Sequence, residues 1–195
     1  RCRRKSDVRR GALWACVAAL VAASAAAQPA PRPNIIVILA DDLGYGDLGC
    51  YKRDSKIPTP HLDRLATSGM RFTDSHSPSS VCSPTRYALL TGRYAWRTRL
   101  QRGVLGPWSP PLIAPDQLTV ATLLKQHGYA TGCIGKWHLG WEWPTKDGKP
   151  PSNGADNLSN VDFTKPIANG PISRGFDFYF GTDVPNSAPF CFIEN

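Results

Sequence analysis

The sequence predicts an α/β fold in which helices flank a largely parallel central sheet. The run Asn34–Ala40 is continuously apolar and rich in β-branched residues, which is typical of a strand that is buried on both faces. Helix start and stop signals follow this run, and later apolar stretches separate the helices. The resulting order of strand, helix, strand, helix, helix and strand is typical of parallel strands that are connected by helices.

The first helix after the opening strand is indicated by both of its ends. Thr59 and Pro60 supply an N-cap and a first helical residue, and Gly69 supplies a stop. Residues 70–73 are then expected to form a short strand. The apolar positions that we expect on the buried face of this helix are Leu62, Leu65 and Ala66.

Two more helices are predicted further along the chain. Ser83–Pro84 is expected to open the second helix, and Gly92 is its stop signal. The third helix is expected to begin at Gln117 or Thr119 and to end at Gly128. Each helix therefore ends at a glycine, the residue that most readily adopts the left-handed conformation of a helix terminus.

The rest of the chain alternates between apolar and irregular segments. Residues 129–134 predict a strand that is followed by a glycine-rich loop. Residues 141–174 are rich in Pro, Gly, Asn and Lys, so we expect a long surface excursion there. Residues 176–180 form a further apolar and aromatic stretch.

The first 27 residues are predicted to be an export signal. A basic segment precedes the apolar run Ala12–Ala23, which is too short to span a bilayer, and Ala25–Ala27 offers a small-residue cleavage site. Residues 28–33 form a Pro/Ala linker, and 34–195 form the folded part. We therefore expect an exported protein, periplasmic or secreted, without a stable membrane span.

The charge of the chain argues against a nucleic-acid-binding protein. It carries 23 Lys and Arg against 15 Asp and Glu, a net charge of +8. Six of those basic residues and one of the acidic ones lie in the predicted signal, so the remaining segment carries about +3. No stripe of Lys and Arg stands out in that segment. Its mild positive charge favours an anionic substrate.

Two adjacent carboxylates, Asp41 and Asp42, directly follow the first predicted strand. In an open α/β sheet, ligands gather beyond the carboxyl ends of the strands. Carboxylate oxygens there suit Ca²⁺ or Mg²⁺, and a role in a turn or a helix cap is the alternative that these two residues leave open. In the glycine-punctuated loop that follows, Asp47 is expected to stabilise the loop and not to bind metal.

A cysteine motif carries the most specific chemical signal. Cys82 stands two residues before Pro84 and four before Arg86, and the sequence at 90–93 is Leu-Thr-Gly-Arg. This spacing is the recognition signature by which a cysteine is oxidised to formylglycine. Cys82 is expected just before the N-terminus of its helix, where backbone N–H groups and the helix dipole favour negative charge. A free or disulfide-bonded cysteine is the structural alternative.

A second motif, Gly135–Gly140, follows the strand predicted at 129–134. It contains Lys136 and His138 within a glycine frame, whereas a Lys-x-His pair alone is usually found on a protein surface. Trp137 and Trp141 are expected to be packing residues or pocket walls.

Together these motifs resemble those of the formylglycine-dependent sulfatases, in the branch of arylsulfatase A and N-acetylgalactosamine-6-sulfatase. The aromatic stretch Gly175–Gly181 is also similar to a strand of that family. The resemblance covers nearly all of residues 34–195, but only the N-terminal portion of a sulfatase catalytic domain. It implies an alkaline-phosphatase-like α/β sandwich.

The resemblance also implies a metal and a modified side chain. A maturation enzyme would convert Cys82 to formylglycine. That side chain would bind a divalent metal, Ca²⁺ or else Mg²⁺, together with Asp41 and Asp42. Arg86 would hydrogen-bond the hydrated aldehyde and a nearby carboxylate. Lys136 would neutralise the sulfate, and His138 would hydrogen-bond the nucleophile and help to remove the proton that releases sulfate.

The reaction implied is hydrolysis of an aryl or carbohydrate sulfate. One hydroxyl of the hydrated aldehyde would attack sulfur, and the second would expel sulfate and restore the aldehyde. In this family the second pair of metal ligands and two further contact residues lie well beyond residue 195. We therefore expect residues 1–195 alone not to turn over substrate.

Two alternatives stay open at this point. Some phosphonate monoester or phosphodiester hydrolases of the same superfamily carry the same cysteine motif, so Cys82 alone does not exclude them. The glycine-framed motif at 135–140 and the stretch after Gly175 favour a sulfatase. A non-catalytic binding protein with a sulfatase-like fold would lack the modification of Cys82.

Overall fold

A computed structural model describes residues 32–152, 159–187 and 189–194 of the chain. The chain divides into two compact units, Arg1–Asp42 and Leu43–Asn195. The predicted export signal and most of the linker lie outside the described residues. Among the described residues, no helix has both the length and the apolar character needed to cross a bilayer.

The described residues of the second unit form three α-helices: α1 (Pro60–Ser68), α2 (Cys82–Thr91) and α3 (Val120–Gln126). The sequence predicts each of them to within about two residues, which is the usual uncertainty of a helix end. Helix α2 begins one residue earlier than expected, so Cys82 is its first residue and does not precede it. Gly92 ends α2 with a φ of 65°, a left-handed conformation in which glycine carries no Cβ penalty.

The expected burial of one face of α1 is wrong. Leu65 is 63% exposed, Leu62 is also exposed, and the helix has no extensive packing contact with another described helix or strand. Polar contacts hold α1 in place: the carboxylate of Asp63 accepts the Cys50 N–H at 2.7 Å and the Thr59 hydroxyl at 3.0 Å. An apolar stripe predicts burial only where another element covers it.

The described strands form one three-stranded mixed sheet: β1 (Gly132–Lys136), β2 (Phe178–Thr182) and β3 (Ile193–Glu194). Strands β1 and β2 are parallel, in a register that pairs Lys136 with Thr182, and β2 and β3 are antiparallel. Strand β1 begins three residues later than predicted and continues to Lys136. The parallel pairing, with α-helices before it, agrees with the predicted fold class.

Two predicted strands are absent from the described residues. Residues 32–42 contain neither helix nor strand, and Ile36 in the middle of the predicted strand Asn34–Ala40 is 84% exposed. Residues 70–73 are likewise irregular. A strand needs a neighbour to satisfy its backbone N–H and C=O groups, and neither segment has a ladder partner within the described part of its own unit.

The core of the second unit is built largely by loop residues that pack beside the sheet. Tyr179 of β2 is buried among them, whereas Ile134 on the opposite face of the sheet is exposed. The prediction of a surface excursion over 141–174 is therefore wrong for part of that segment, since Trp141 and Val161 are buried. The buried cluster consists of Tyr87, Ala95, Leu100, Leu105, Leu112, Ile113, Trp137, Leu139, Trp141, Trp143, Val161 and Tyr179.

A carboxylate closes the amino end of the β1–β2 pair. Oδ2 of Asp177 accepts the Thr131 N–H at 2.8 Å and the Thr131 hydroxyl at 3.0 Å. Lys125 Nζ lies 2.6 Å from the other carboxylate oxygen. The hydrogen bond from Lys125, then the two hydrogen bonds from Thr131 and last the charge of Lys125 lower the pKa of Asp177 to about 2.

A close approach between the two parallel strands makes one glycine of β2 essential. A Cβ at Gly181 would overlap the Gly135 carbonyl of β1, whereas a Cβ at Gly132 would meet nothing within 4 Å. We expect Gly181→Ala to lower the free energy of unfolding by about 3 kcal/mol or more, because the strands must separate. Gly132→Ala in the same sheet is the matched control and should change it by less than about 1 kcal/mol. Urea unfolding followed by circular dichroism measures both, and equal effects would contradict this account.

Candidate active site

The amino end of α2 presents Cys82 as the first residue of the helix. Val81 before it is extended, so the chain turns into the helix at the cysteine. The next side chain, Ser83, is fully buried and its Oγ accepts the Leu105 N–H at 3.1 Å. This contact fixes the start of the helix against the loop that contains Leu105. Cys82 therefore lies at a rigid point where helix N–H groups favour negative charge.

A lysine from the end of β1 reaches the cysteine. Lys136 is the last residue of β1, and its Nζ lies 3.2 Å from Sγ of Cys82. Arg86, one turn after Cys82 in α2, donates a hydrogen bond from Nη1 to the Lys136 carbonyl at 2.6 Å. The guanidinium thus fastens α2 to the end of β1. The structure brings together three of the residues that the motifs single out.

His138 follows in a strained turn. Its φ of 52° is left-handed, which costs a non-glycine residue about 1–2 kcal/mol. Its backbone N–H donates to Oδ1 of Asp183 at 3.1 Å. A hydrogen bond to a charged group contributes about 1.5–3 kcal/mol, enough to offset the strain. The turn is therefore held by a carboxylate that is distant in sequence.

The ring of His138 is buried and oriented by a backbone group. The side chain is 3% exposed, and Nε2 lies 2.8 Å from the Leu105 carbonyl oxygen. A carbonyl only accepts, so Nε2 carries the proton in the neutral ring and Nδ1 is the basic nitrogen. Because Leu105 also binds Ser83, the imidazole is connected through one loop residue to the start of α2.

Asp183 is a buried acidic residue of the site that the sequence analysis misses. It directly follows β2 and is 1% exposed. Burial raises its pKa to about 6, and the neighbouring indole of Trp141, the His138 N–H and the charge of Lys136 oppose that rise. The indole nitrogen lies near the carboxylate without a well-aligned hydrogen bond among the described groups. The available signal was its position, an acidic residue just beyond the end of a strand.

Burial keeps two ionisable groups beside the site, Cys133 and Tyr179, in their neutral forms. Cys133 lies within β1, where burial raises its pKa to about 11 even though the positive charge of Arg86 acts against it. Its thiol therefore stays protonated and unreactive at neutral pH. Burial also raises the pKa of Tyr179, whose hydroxyl lies 3.0 Å from the carbonyl oxygens of Gly135 and Thr182. It is a neutral donor that ties the strand ends.

The two expected metal-binding carboxylates belong to the first unit. Asp41 and Asp42 are exposed, and Asp42 has a left-handed φ of 59°. Within the described residues no group of three or more His, Cys, Asp or Glu suits a metal ion. Adjacent exposed carboxylates fit a hard cation, although they supply only part of the roughly six to eight oxygen ligands that Ca²⁺ takes. In the loop that follows, Asp47 accepts the Gly44 N–H at 2.7 Å, a loop-stabilising contact.

Comparison with known proteins identifies the family of this chain. Residues 33–188 match the family model described as Sulfatase, so the chain belongs to the sulfatase family. It is 54% identical over 129 residues to arylsulfatase A of Bos taurus, covering 66% of this chain and 25% of that protein. It is 41% identical over 169 residues to an N-acetylgalactosamine-6-O-sulfatase of Bacteroides thetaiotaomicron, covering 86% of this chain and 30% of that protein.

A solved structure extends the similarity to the fold. A structure from work on the metabolism of multiple glycosaminoglycans by Bacteroides thetaiotaomicron superposes with a TM-score of 0.70 at 41% identity. The match covers 84% of this chain and 31% of that one. The predicted alkaline-phosphatase-like α/β fold and the family resemblance are thereby confirmed. The chain spans between a quarter and a third of the length of these relatives.

The raised pKa of Asp183 predicts a specific dependence of stability on pH. Below the ordinary pKa of 3.8 the carboxyl is neutral in both states. Between about pH 3.8 and 6 the unfolded state ionises while the folded state stays protonated, so the free energy of unfolding falls across this window and is level above it. Relative to the unchanged protein, Asp183→Asn should therefore gain up to about 3 kcal/mol in free energy of unfolding between pH 4 and pH 7. Urea unfolding at several pH values measures this difference.

A partly buried carboxylate whose pKa is shifted in the opposite direction supplies the control for that measurement. Hydrogen bonds from Thr164 lower the pKa of Asp162, so its ionised form stabilises the folded state above its unfolded pKa. Asp162→Asn should therefore change relative stability with pH in the opposite direction. A difference for Asp183→Asn that is flat over this pH range would show that the carboxyl is not buried as described.

Proposed function

We propose that this chain supplies the nucleophile and the sulfate-binding cations of a sulfuric ester hydrolase. The observation that carries the proposal is the 3.2 Å contact between Lys136 Nζ and Cys82 Sγ at the start of α2. It joins the two most specific motifs of the sequence although 54 residues separate them. Membership of the sulfatase family and the names of the relatives support the same reaction.

Formylglycine made from Cys82 would supply an aldehyde whose hydrate offers one hydroxyl to attack sulfur and a second to expel sulfate. The Cys82 Sγ stands in for the oxygen of that modified side chain. Lys136 then places a positive charge beside the nucleophile and the incoming sulfate, where it stabilises negative charge in the transition state. The guanidinium of Arg86 is held in place by the Lys136 carbonyl and adds a second positive charge, which is contributed by α2.

His138 would act as the base that helps to release sulfate. Its Nε2 is engaged by the Leu105 carbonyl, so a proton removed from the modified side chain would go to Nδ1. Such transfer needs a neutral imidazole, whose Nδ1 has a free lone pair when Nε2 carries the proton. The ring would therefore work in one tautomer that the fold selects.

A divalent cation, Ca²⁺ or Mg²⁺, would be held by Asp41, Asp42 and the modified Cys82, and would stabilise charge on the transferring group. Exposed, adjacent carboxylates at Asp41 and Asp42 support this assignment. The full ligand set would require further oxygen donors, since two carboxylates and one side-chain oxygen leave positions unfilled.

The substrate class that we propose is an aryl or carbohydrate sulfate. The similar proteins named above are an arylsulfatase and a sulfatase of N-acetylgalactosamine 6-sulfate, and the chain is similar to both over most of its length. The expected partners are therefore a sulfated small molecule or sugar and the maturation enzyme that oxidises Cys82. We also propose that the segment 1–27 directs export, so that the protein is periplasmic or secreted.

The modification and the reaction can be tested together on the full-length protein purified from its native host. Mass spectrometry of the peptide that contains Cys82 should show a mass about 18 Da lower than that of the cysteine form. Hydrolysis of an aryl sulfate should accompany that mass change. Cys82→Ala should lower kcat by at least about a thousandfold because the nucleophile is lost. Cys133→Ala changes a cysteine of β1 that is partly buried like Cys82, and this variant should retain activity.

The same measurements separate the alternatives. An unmodified Cys82 mass in protein that does not hydrolyse aryl sulfates would favour a binding protein with a sulfatase-like fold. Faster hydrolysis of an aryl phosphonate than of the corresponding aryl sulfate would favour a phosphonate or phosphodiester hydrolase. Either result would overturn the proposal.

Metal binding is tested through the paired carboxylates. After removal of metal with a chelator, titration of the full-length protein with Ca²⁺ in a calorimeter should give a binding isotherm. Asp41→Asn and Asp42→Asn should each weaken the affinity by at least about tenfold, because each removes a ligand charge. Asp54→Asn, an exposed aspartate of the following loop, is the control and should leave the affinity unchanged. Unchanged affinity in all three variants would place the metal elsewhere.

A further inference from the structure

The site contains a buried carboxylate that the proposed reaction does not use. Asp183 lies immediately after β2 and is almost completely buried. Because β1 and β2 are parallel and pair Lys136 with Thr182, Asp183 stands level with the turn that follows β1. This turn, Lys136–His138, carries two of the side chains to which chemistry is assigned above.

The Asp183 carboxylate accepts a hydrogen bond at the point where the backbone ladder between β1 and β2 ends. The Trp137 N–H donates to the Thr182 carbonyl at 2.9 Å, which is the last backbone hydrogen bond of the pair. His138 then adopts its left-handed φ, and its N–H donates to Oδ1 of Asp183 at 3.1 Å. A side-chain oxygen therefore replaces the next carbonyl of β2 and ends the ladder in a defined turn.

The geometry of this turn determines where two functional groups lie. Lys136 just before it places Nζ 3.2 Å from Cys82 Sγ, and the imidazole of His138 within it reaches the Leu105 carbonyl at 2.8 Å. A change in the backbone angles of His138 would move the ring, and loss of the Asp183 charge would remove an attraction on the Lys136 ammonium. Displacements of about 1 Å in such groups change reaction rates by about a hundredfold.

We propose that Asp183 is a positioning residue of the site, which fixes the left-handed turn at His138 and thereby directs Lys136 and His138 towards the amino end of α2. The effect on catalysis rests on the proposed function, whereas the effect on the turn does not. The groups that face the carboxylate are the His138 N–H, the Trp141 indole and the Lys136 charge.

The same pair of strands offers a matched control at its other end. Asp177 accepts the Thr131 N–H and so closes the amino end of β1 and β2 with the same kind of contact. Asp177 is a structural carboxylate to which no chemistry is assigned. A variant without the Asp177 carboxylate therefore shows how the loss of a carboxylate that caps a strand end affects stability where no catalytic group is involved.

Hydrogen–deuterium exchange of the full-length protein tests the effect on the turn. In Asp183→Ala, exchange in a peptide that covers residues 137–140 should rise by at least about tenfold, because the His138 N–H loses its acceptor. Asp183→Asn keeps an oxygen acceptor and should retain protection. Asp177→Ala should increase exchange around Thr131 and leave 137–140 unchanged. Equal protection of 137–140 in Asp183→Ala and in the unchanged protein would overturn the proposal.

Kinetics with an aryl sulfate, corrected for the folded fraction, test the effect on catalysis. Asp183→Ala should lower kcat by about 10–100-fold with little change in KM, the range seen when a supporting hydrogen bond of a site is removed. Asp183→Asn should restore kcat to within about threefold, and Asp177→Ala should lower the melting temperature without lowering kcat. A normal kcat in Asp183→Ala, or a loss in Asp183→Asn equal to that in Asp183→Ala, would refute positioning.

The measurements distinguish a failure of the proposed function from a failure of the positioning role of Asp183. If the unchanged protein does not hydrolyse the aryl sulfate, the proposed function fails, and the exchange result still decides whether Asp183 holds the turn. If the unchanged protein is active and Asp183→Ala is equally active, the function stands and the positioning role fails.

Discussion

The site depends on the junction between the amino end of α2 and the carboxyl end of β1. Arg86 makes this junction by donating to the Lys136 carbonyl, across 50 residues of sequence. Helix N–H groups at Cys82 and the Lys136 ammonium therefore meet at one point. Side chains alternate along a strand, so a shift of β1 by one residue would turn Lys136 to the opposite face of the sheet. Register is thus a requirement of the chemistry as well as of the fold.

That register is set by close contacts between strand backbones and by loops packed beside them. Gly181 allows β2 to lie directly against the Gly135 carbonyl, which no larger residue would permit. On the far side of the turn, Leu139 is buried, and Gly140 has a φ of 82° and lies against the backbone of Pro110. The turn that contains His138 is therefore held by close packing contacts on both sides. Its rigidity comes from these packed loops, because no long helix covers it among the described residues.

Sequence reasoning identified the helices and the chemical motifs more reliably than the strands. The ends of α2 and α3 followed from cap residues and glycines, which act locally, and the motifs around Cys82 and Lys136 meet in space. The strand predicted at Asn34–Ala40 is absent, since a strand forms only where another strand accepts its hydrogen bonds. The same limit explains why the apolar face of α1 is exposed. A local sequence pattern shows that a helix has an apolar face, but it does not show whether another element covers that face.

Other buried residues do not follow from the sequence for a related reason. The composition of 141–174 predicts a surface excursion, yet Val161 in that segment is completely buried. Trp141 packs as expected, and its ring centroid lies 5.4 Å from that of Tyr179 in the core. The role of Asp183 depends on the β1–β2 register, which fixes the residue beside His138 only after the sheet is formed. Long-range pairing therefore decides which acidic residue supports the turn, and composition does not.

The charges of the site explain how a buried carboxylate is compatible with the anionic substrate that we propose. Lys136 interacts with Asp183, which lowers the cost of burying that carboxylate, and its Nζ also reaches Cys82. Arg86 adds a second cation at the same junction. Because both cations lie at the start of α2, their charges add to the helix N–H groups that favour an anion beside Cys82.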